Sequence, residues 1–228
     1  MRTSFAYILA ASLGLAAPAL AAERSFPVSA FSEILLTGSP DVVVTTGHAP
    51  SVVASGEAAD LDRLLIRVEG KRLIIDTKPG KWSWSSRNGV KIRVSTAALS
   101  AAIISGSGDI GIDRVSGPFS GRVTGSGDLD VASIDAPTLN LAVSGSGDID
   151  IAAGRCGTGA FATTGSGGID AGNVRCTDIT AAVTGSGDID AFATGTASLR
   201  VTGSGNIEVK GGARCTTRTT GSGTTRCS

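Results

Sequence analysis

From residue 101 onward the chain alternates aliphatic and polar residues in short runs, and the tripeptide Gly-Ser-Gly interrupts each run. Leu139, Leu141 and Val143 alternate with Asn140 and Ala142 before one such break, and Ile149 and Ile151 alternate with Asp148 and Asp150 after it. Alternation with a period of two marks strands buried on one face only. The tripeptide begins at Gly106, Gly125, Gly145, Gly165, Gly185, Gly203 and Gly221, so the intervals are 19, 20, 20, 20, 18 and 18 residues. Such a period predicts a stacked repeat, because one unit cannot bury its own apolar side and needs neighbours above and below. The glycines permit positive φ and a sharp bend between strands.

Aligned on the first glycine, the units form columns. Four residues after it stand Ile110, Leu129, Ile149, Ile169, Ile189 and Ile207, and two residues later Ile112, Val131, Ile151, Ala171, Ala191 and Val209. Two residues before it stand Ile104, Val123, Val143, Thr163, Val183 and Val201. These read as inward ladders. The expected fold is all-β: a parallel β-helix (β-solenoid) of about 20 residues per coil, taken as right-handed. At about 4.8 Å per rung the seven motifs span about 29 Å.

The pattern organises residues 22–228 as one solenoid domain: an irregular β part over 22–100, regular repeats over 101–215 and a polar cap over 216–228. Thr219 and Thr225 replace aliphatics in the last unit, as expected where a solenoid must end without polymerising through its open edge. In the first part, Thr37-Gly38-Ser39-Pro40-Asp41-Val42 is a worn copy of the motif. A short helix is expected within Glu57 to Leu65, with Leu61, Leu64 and Leu65 on one side. Hairpin signals lie at Glu69-Gly70-Lys71 and at Asn88-Gly89.

Composition adds compartment. Met1-Arg2, the apolar run Ile8 to Ala17 and Ala19-Leu20-Ala21 read as a secretory leader over 1–21, too short to span a membrane. The expected location is therefore exported, periplasmic or extracellular. Twenty basic residues balance twenty acidic ones, which argues against a nucleic-acid or anionic-membrane partner. Four cysteines in an exported chain point to disulfides. Cys156 and Cys176 each lie 11 residues past the first glycine of their units, which stacks them one rung apart and predicts Cys156–Cys176, leaving Cys215–Cys227 to close the last coil.

Candidate chemistry sits on outward positions. Asp128, Asp148 and Asp188 follow the second glycine, and Asp130, Asp150 and Asp190 stand two positions further on. Stacked like charges are destabilising, so one reading gives these acids calcium, a hard ion that takes oxygen ligands. The other has the first Asp accept backbone N–H bonds in its own turn, with the second solvated. A Thr-x-Ser row (Thr124/Ser126, Thr184/Ser186, Thr202/Ser204, Thr220/Ser222) reads as cross-rung hydrogen bonding, or as a hydroxyl array that orders ice. If Asn88-Gly89 is a two-residue turn, Trp84 lies opposite Arg93, and Trp82 and Trp84 present indoles suited to sugar rings. A longer loop buries both. Catalysis lacks a distinctive constellation: His48 is the sole histidine, and the acids recur on nearly every rung.

The serial aliphatic-x-aliphatic-Ser/Thr-Gly-Ser-Gly-Asp-Ile/Leu-Asp unit, preceded by Phe31-Ser32-Glu33-Ile34, Asp41-Val42-Val43-Val44 and Leu73-Ile74-Ile75, resembles the bacterial autotransporter-adhesin, head-GIN-domain family of unknown function. The resemblance covers roughly Phe26 to Gly223 and implies an exported β-helical domain with an adhesin-like label and no catalytic residues to transfer. The expectation is a non-enzymatic envelope protein binding a glycan, polymer or protein along its surface. It has no cofactor unless calcium binds and no integral membrane segment, and it is a monomer or an oligomer formed through the solenoid edge. The alternative is a carbohydrate-active enzyme using paired carboxylates on the solenoid face.

Overall fold

The computed structural model describes residues 22–78 and 89–228. Residues 1–21, expected as a leader, the tryptophans 82 and 84 and Asn88 of the expected Asn88-Gly89 turn lie outside the described residues. The chain begins with strands β1 (Ala22–Phe26), β2 (Glu33–Gly38), β3 (Asp41–Thr46) and β4 (Ser51–Gly56), then one helical turn, α1 (Ala58–Leu61). β5 (Leu64–Glu69), β6 (Arg72–Thr77), β7 (Lys91–Thr96), β8 (Ala101–Gly106), β9 (Ile110–Ile112) and β10 (Val115–Ser116) follow. The middle repeats hold β11 (Phe119–Gly125), β12 (Leu129–Val131), β13 (Ile134–Gly145), β14 (Ile149–Ile151) and β15 (Gly154–Gly165). The last are β16 (Ile169–Gly185), β17 (Ile189–Gly203), β18 (Asn206–Lys210), β19 (Arg214–Gly221) and β20 (Thr224–Cys227).

The repeat strands pair in parallel, one coil upon the next, as a β-solenoid. Ile104, Val123, Val143, Thr163, Val183, Val201 and Thr219 follow one another in register across β8, β11, β13, β15, β16, β17 and β19. The other two inward ladders are likewise buried and belong to one continuous core that runs from Phe31 to Val209. The first part joins this stack directly, because β2 pairs in parallel with both β6 and β8, and β3 with both β7 and β9. β1, β4 and β5 pair antiparallel at that end, β5 with β6 across the two-residue turn Gly70-Lys71. The expected helix through Leu65 is only one turn long. Leu64 is already in β5, opposite Thr77, because Leu64, Ile66 and Val68 alternate toward the core and a strand buries them where a helix would not.

The two glycines of each corner share a steric reason and differ in φ. Gly145 has φ +133°, which favours glycine, and a Cβ there would also lie 2.2 Å from the Gly125 carbonyl oxygen. Gly147 is not among the residues with positive φ, yet a Cβ there would lie 2.1 Å from the Gly127 carbonyl oxygen one rung below. Both corner N–H groups point at that rung: Ser146 and Gly147 donate to the Gly125 carbonyl at 2.9 and 3.2 Å. The corner is thus a small backbone nest closed around a carbonyl rather than an anion. These bonds also correct the Thr-x-Ser expectation, since backbone N–H groups rather than hydroxyls join the rungs at the corner. In the worn first copy Pro40 takes the second-glycine place, and the strand beneath that corner, β6, ends at Thr77. A missing N–H therefore costs nothing there.

Both disulfides have the pairing read from the register. Cys156 and Cys176 lie side by side in an inward column with Cα atoms 4.4 Å apart, and Cys215–Cys227 ties β19 to β20 with Cα atoms 6.5 Å apart. The last two units have 18 residues, and the difference is absorbed by two register shifts, one between Ala171 and Arg175, which aligns Arg175 with Phe192, and one between Cys176 and Asp178. The Arg175 guanidinium covers the Phe192 ring at 5.2 Å.

Candidate functional site

Because inward positions are committed to the core, every candidate site is a column of outward positions on consecutive rungs. The acids after each corner form two columns of different character. In the first, the carboxylate bonds the next rung, not its own turn. Asp109 Oδ1 accepts from the Asp128 N–H at 2.9 Å, Asp128 Oδ1 from the Asp148 N–H at 2.8 Å, and Asp148 Oδ1 from the Gly168 N–H at 2.5 Å. Asp188 Oδ1 then receives the Asn206 N–H and side-chain amide at 2.8 and 2.9 Å, and Asn206 hands the pattern on to Thr224. The own-turn expectation is corrected accordingly: in a parallel stack the carboxylate is one strand spacing from the equivalent N–H above it, within easy reach.

The second column carries the unneutralised charge. Asp130, Asp150, Asp170, Asp190 and Glu208 stand in direct register, and Arg226 is in register at the end. Partial burial, then the Asp128 and Asp109 carboxylates, raises the Asp130 pKa above the usual carboxylate value. Burial followed by the surrounding acids, Asp130 first, raises that of Asp150. Asp190 is raised by burial and by Asp170 and Glu208, against a lowering effect of Lys210, whose Nζ lies 3.7 Å from Glu208. Among the described residues, no three His, Cys, Asp or Glu side chains converge in a metal-holding group.

This column forms one wall of an open groove of about 520 Å³. Asp130, Asp150 and Asp170 line it, Ala132 and Ala152 make its floor with the edges of Ile112, Val131 and Ile151, and Asn173 closes one end. The other end reaches Val43 on β3, which is 57 % exposed. The groove exists because the second residue beyond the acid is Ala in two successive rungs, and because Gly111 takes the acid's place in the first. That small-residue column was the available sequence signal for the groove, and reading the acids alone passes over it.

Of the other candidates, Arg93 on β7 is exposed and ion-paired with Glu23 of β1, between Val43 and Val53 in register. The ion pair thus reaches across β4 to β1, and Arg93 lies on the strand that neighbours the groove's Val43 end. A second, smaller depression of about 380 Å³ runs along another outward column, where Ala142, Ala162 and Ala182 lie between Arg122 and Arg200.

Stacked parallel coils around a single core, with grooves along two of the outward columns, define a β-solenoid. A family model described as "Putative auto-transporter adhesin, head GIN domain" matches residues 30–213, and the chain belongs to that family. A search among curated proteins finds no match. Among solved structures, a "putative adhesin" from Bacteroides fragilis is similar, with 23% identity and a TM-score of 0.86 over 91% of this chain and 97% of that one. A "putative lipid binding protein" from Parabacteroides distasonis has 23% identity and a TM-score of 0.72 over 92% of this chain and 98% of its own. A "putative adhesin" from Parabacteroides merdae has 17% identity and a TM-score of 0.73, covering 92% and 97%. At these identities the likeness is one of fold.

Proposed function

We propose that the chain is an exported, adhesin-like binding protein that holds an envelope polymer or protein along the acid-walled groove. The carrying observation is the groove itself, a furrow across successive rungs with Asp130, Asp150 and Asp170 on one wall and an apolar floor. Its chemistry fits an elongated ligand that presents cationic groups at the strand spacing and lays apolar surface on the alanines. Calcium is the simplest occupant of the same wall, in bridging rather than caged coordination. Family membership, the adhesin descriptions of structural neighbours and two disulfides support export and surface binding. In this reading residues 1–21 are the removed leader.

The test is binding to a panel of envelope and extracellular polysaccharides, an amino-sugar polymer with free amines, phospholipid vesicles and calcium, with Asp150→Asn beside the unsubstituted chain. The amine-bearing polymer should bind and lose most of its affinity in the variant. Vesicle binding that ignores the variant would refute the groove and favour a lipid surface. Turnover of any polysaccharide, abolished by Asp150→Asn, would instead establish the carbohydrate-active alternative.

A further inference from the structure

The C-terminal end of the stack differs from everything beneath it. Among the described residues β19 pairs with β17 alone and β20 with β18 alone, so each has an edge with no partner strand among them. An open edge presents a row of backbone donors and acceptors to any extended chain. Folded proteins usually blunt such edges with charged side chains, proline or a bulge. β19 runs Arg-Cys-Thr-Thr-Arg-Thr-Thr-Gly with no proline, and its eight residues align with β17 without a register shift, so only Arg214 and Arg218 guard the edge and their charge selects what can pair there. The Cys215–Cys227 bridge holds β19 and β20 together, so the edge is already ordered before anything pairs with it.

Charge decides what fits. Residues 211–228 contain Arg214, Arg218 and Arg226 and no acid. All three arginines are exposed and make no ion pair among the described residues. Arg218 stands directly above Arg200, which reinforces the positive field. A second copy of the chain is a poor occupant by either geometry. Two such edges related by a twofold axis would bring both sets of arginines together. The opposite end of the solenoid offers no surplus of acid, since Arg24–Asp62, Arg67–Glu69 and Arg93–Glu23 are already paired there.

We propose that the β19–β20 edge accepts an acidic, extended segment of another protein as an added strand. Alternate side chains of that strand would lie on Thr217 and Thr219, which occupy inward columns but are exposed because no rung covers them. The intervening side chains, the acidic ones, would lie beside Arg218 and its neighbours on the outward face. Threonines in the inward columns make this end compatible with a polar strand and remove the apolar reward for stacking another solenoid coil.

The test uses the full chain with both disulfides intact and a fluorescein-labelled eight-residue peptide alternating threonine with aspartate, against the same peptide with lysine. The acidic peptide should bind, the lysine peptide should not, and amide hydrogens of Cys215–Gly221 should gain exchange protection in the complex. Arg218→Glu should weaken binding about threefold to tenfold, and Arg218→Glu/Arg226→Glu should reverse the preference between peptides. Binding without protection in β19 would mean plain ion exchange on arginines and would overturn the proposal. So would self-association in sedimentation that protects β19 without any peptide.

Discussion

Thr163 is the one polar residue in its ladder below the last rung, between Val143 and Val183 in register, and it is 1% exposed. Its Oγ1 is buried without a hydrogen-bond partner. A buried hydroxyl that has surrendered water and found no acceptor costs about 1–3 kcal/mol. Thr163→Val keeps the β-branched shape, removes that cost, and completes the aliphatic column with a methyl group where its neighbours have one. Substitution of Thr by Val is usually unfavourable because the hydroxyl is bonded; here nothing is lost. The expected gain is about 1–2 kcal/mol, or about 2–8 °C in Tm for a chain of this size. Calorimetry and urea unfolding with an unchanged m-value would record it. The reciprocal variant Val143→Thr should lose a similar amount by burying a second orphan hydroxyl. An unchanged or lowered Tm in Thr163→Val would show that Oγ1 has a partner, and the argument from an unsatisfied buried hydroxyl would fail.

Gly147→Ala should be among the most damaging single methyl additions, since its Cβ would meet the Gly127 carbonyl oxygen at 2.1 Å within a rigid ladder. A loss of about 3–5 kcal/mol is expected in urea unfolding, whereas Ser146→Ala at the exposed side of the same corner should change stability by less than about 0.5 kcal/mol. Asp128→Ala removes the acceptor of the Asp148 N–H and should cost about 1 kcal/mol, read as a lower urea midpoint. The raised pKa values of Asp130, Asp150 and Asp190 mean the folded chain binds protons more tightly than the unfolded one. Their stabilising contribution is full below the ordinary carboxylate pKa and is lost as pH rises through the raised one, so Tm should gain from these acids as pH falls through the raised values toward the ordinary carboxylate range. Asp150→Asn should raise Tm at pH 7 and flatten that slope; an equal slope in the variant would detach it from the acid column.

The solenoid was legible because each unit repeats the same alternation, so a wrong register at one rung would misplace aliphatics at all the others. The same logic paired Cys156 with Cys176, whose offsets from the first glycine are equal. What escaped the sequence were relations between rungs. Gly145 and Gly147 look alike in one dimension, but only stacking shows that both need the space occupied by the carbonyl beneath and that Gly145 alone also needs a positive φ. Asp128 and Asp130 also look alike, and a turn-forming role for the first was the natural one-coil reading. Its true partner is the N–H twenty residues later. The groove was missed because its floor, Ala132 and Ala152, is defined by small side chains that carry no chemical signal.

The two acid columns separate scaffold from function. The carboxylates of Asp109, Asp128 and Asp148 each satisfy a backbone N–H of the next rung, so they contribute to the fold. The neighbouring column does the reverse. Carboxylates stacked at the strand spacing of about 4.8 Å repel by about 1 kcal/mol per adjacent pair in bulk water and about 3 kcal/mol at an effective dielectric of 20. Nothing in the coil requires this, because Gly111 occupies the same column in register with Asp130 and its flanking residues Ile110 and Ile112 are as buried as their counterparts above. A column that carries this repulsion and borders an open groove is where, under the proposed function, a ligand of opposite charge gains most. Binding there would release the stored repulsion, tying the affinity of the groove to the same carboxylates that lower the stability of the free chain.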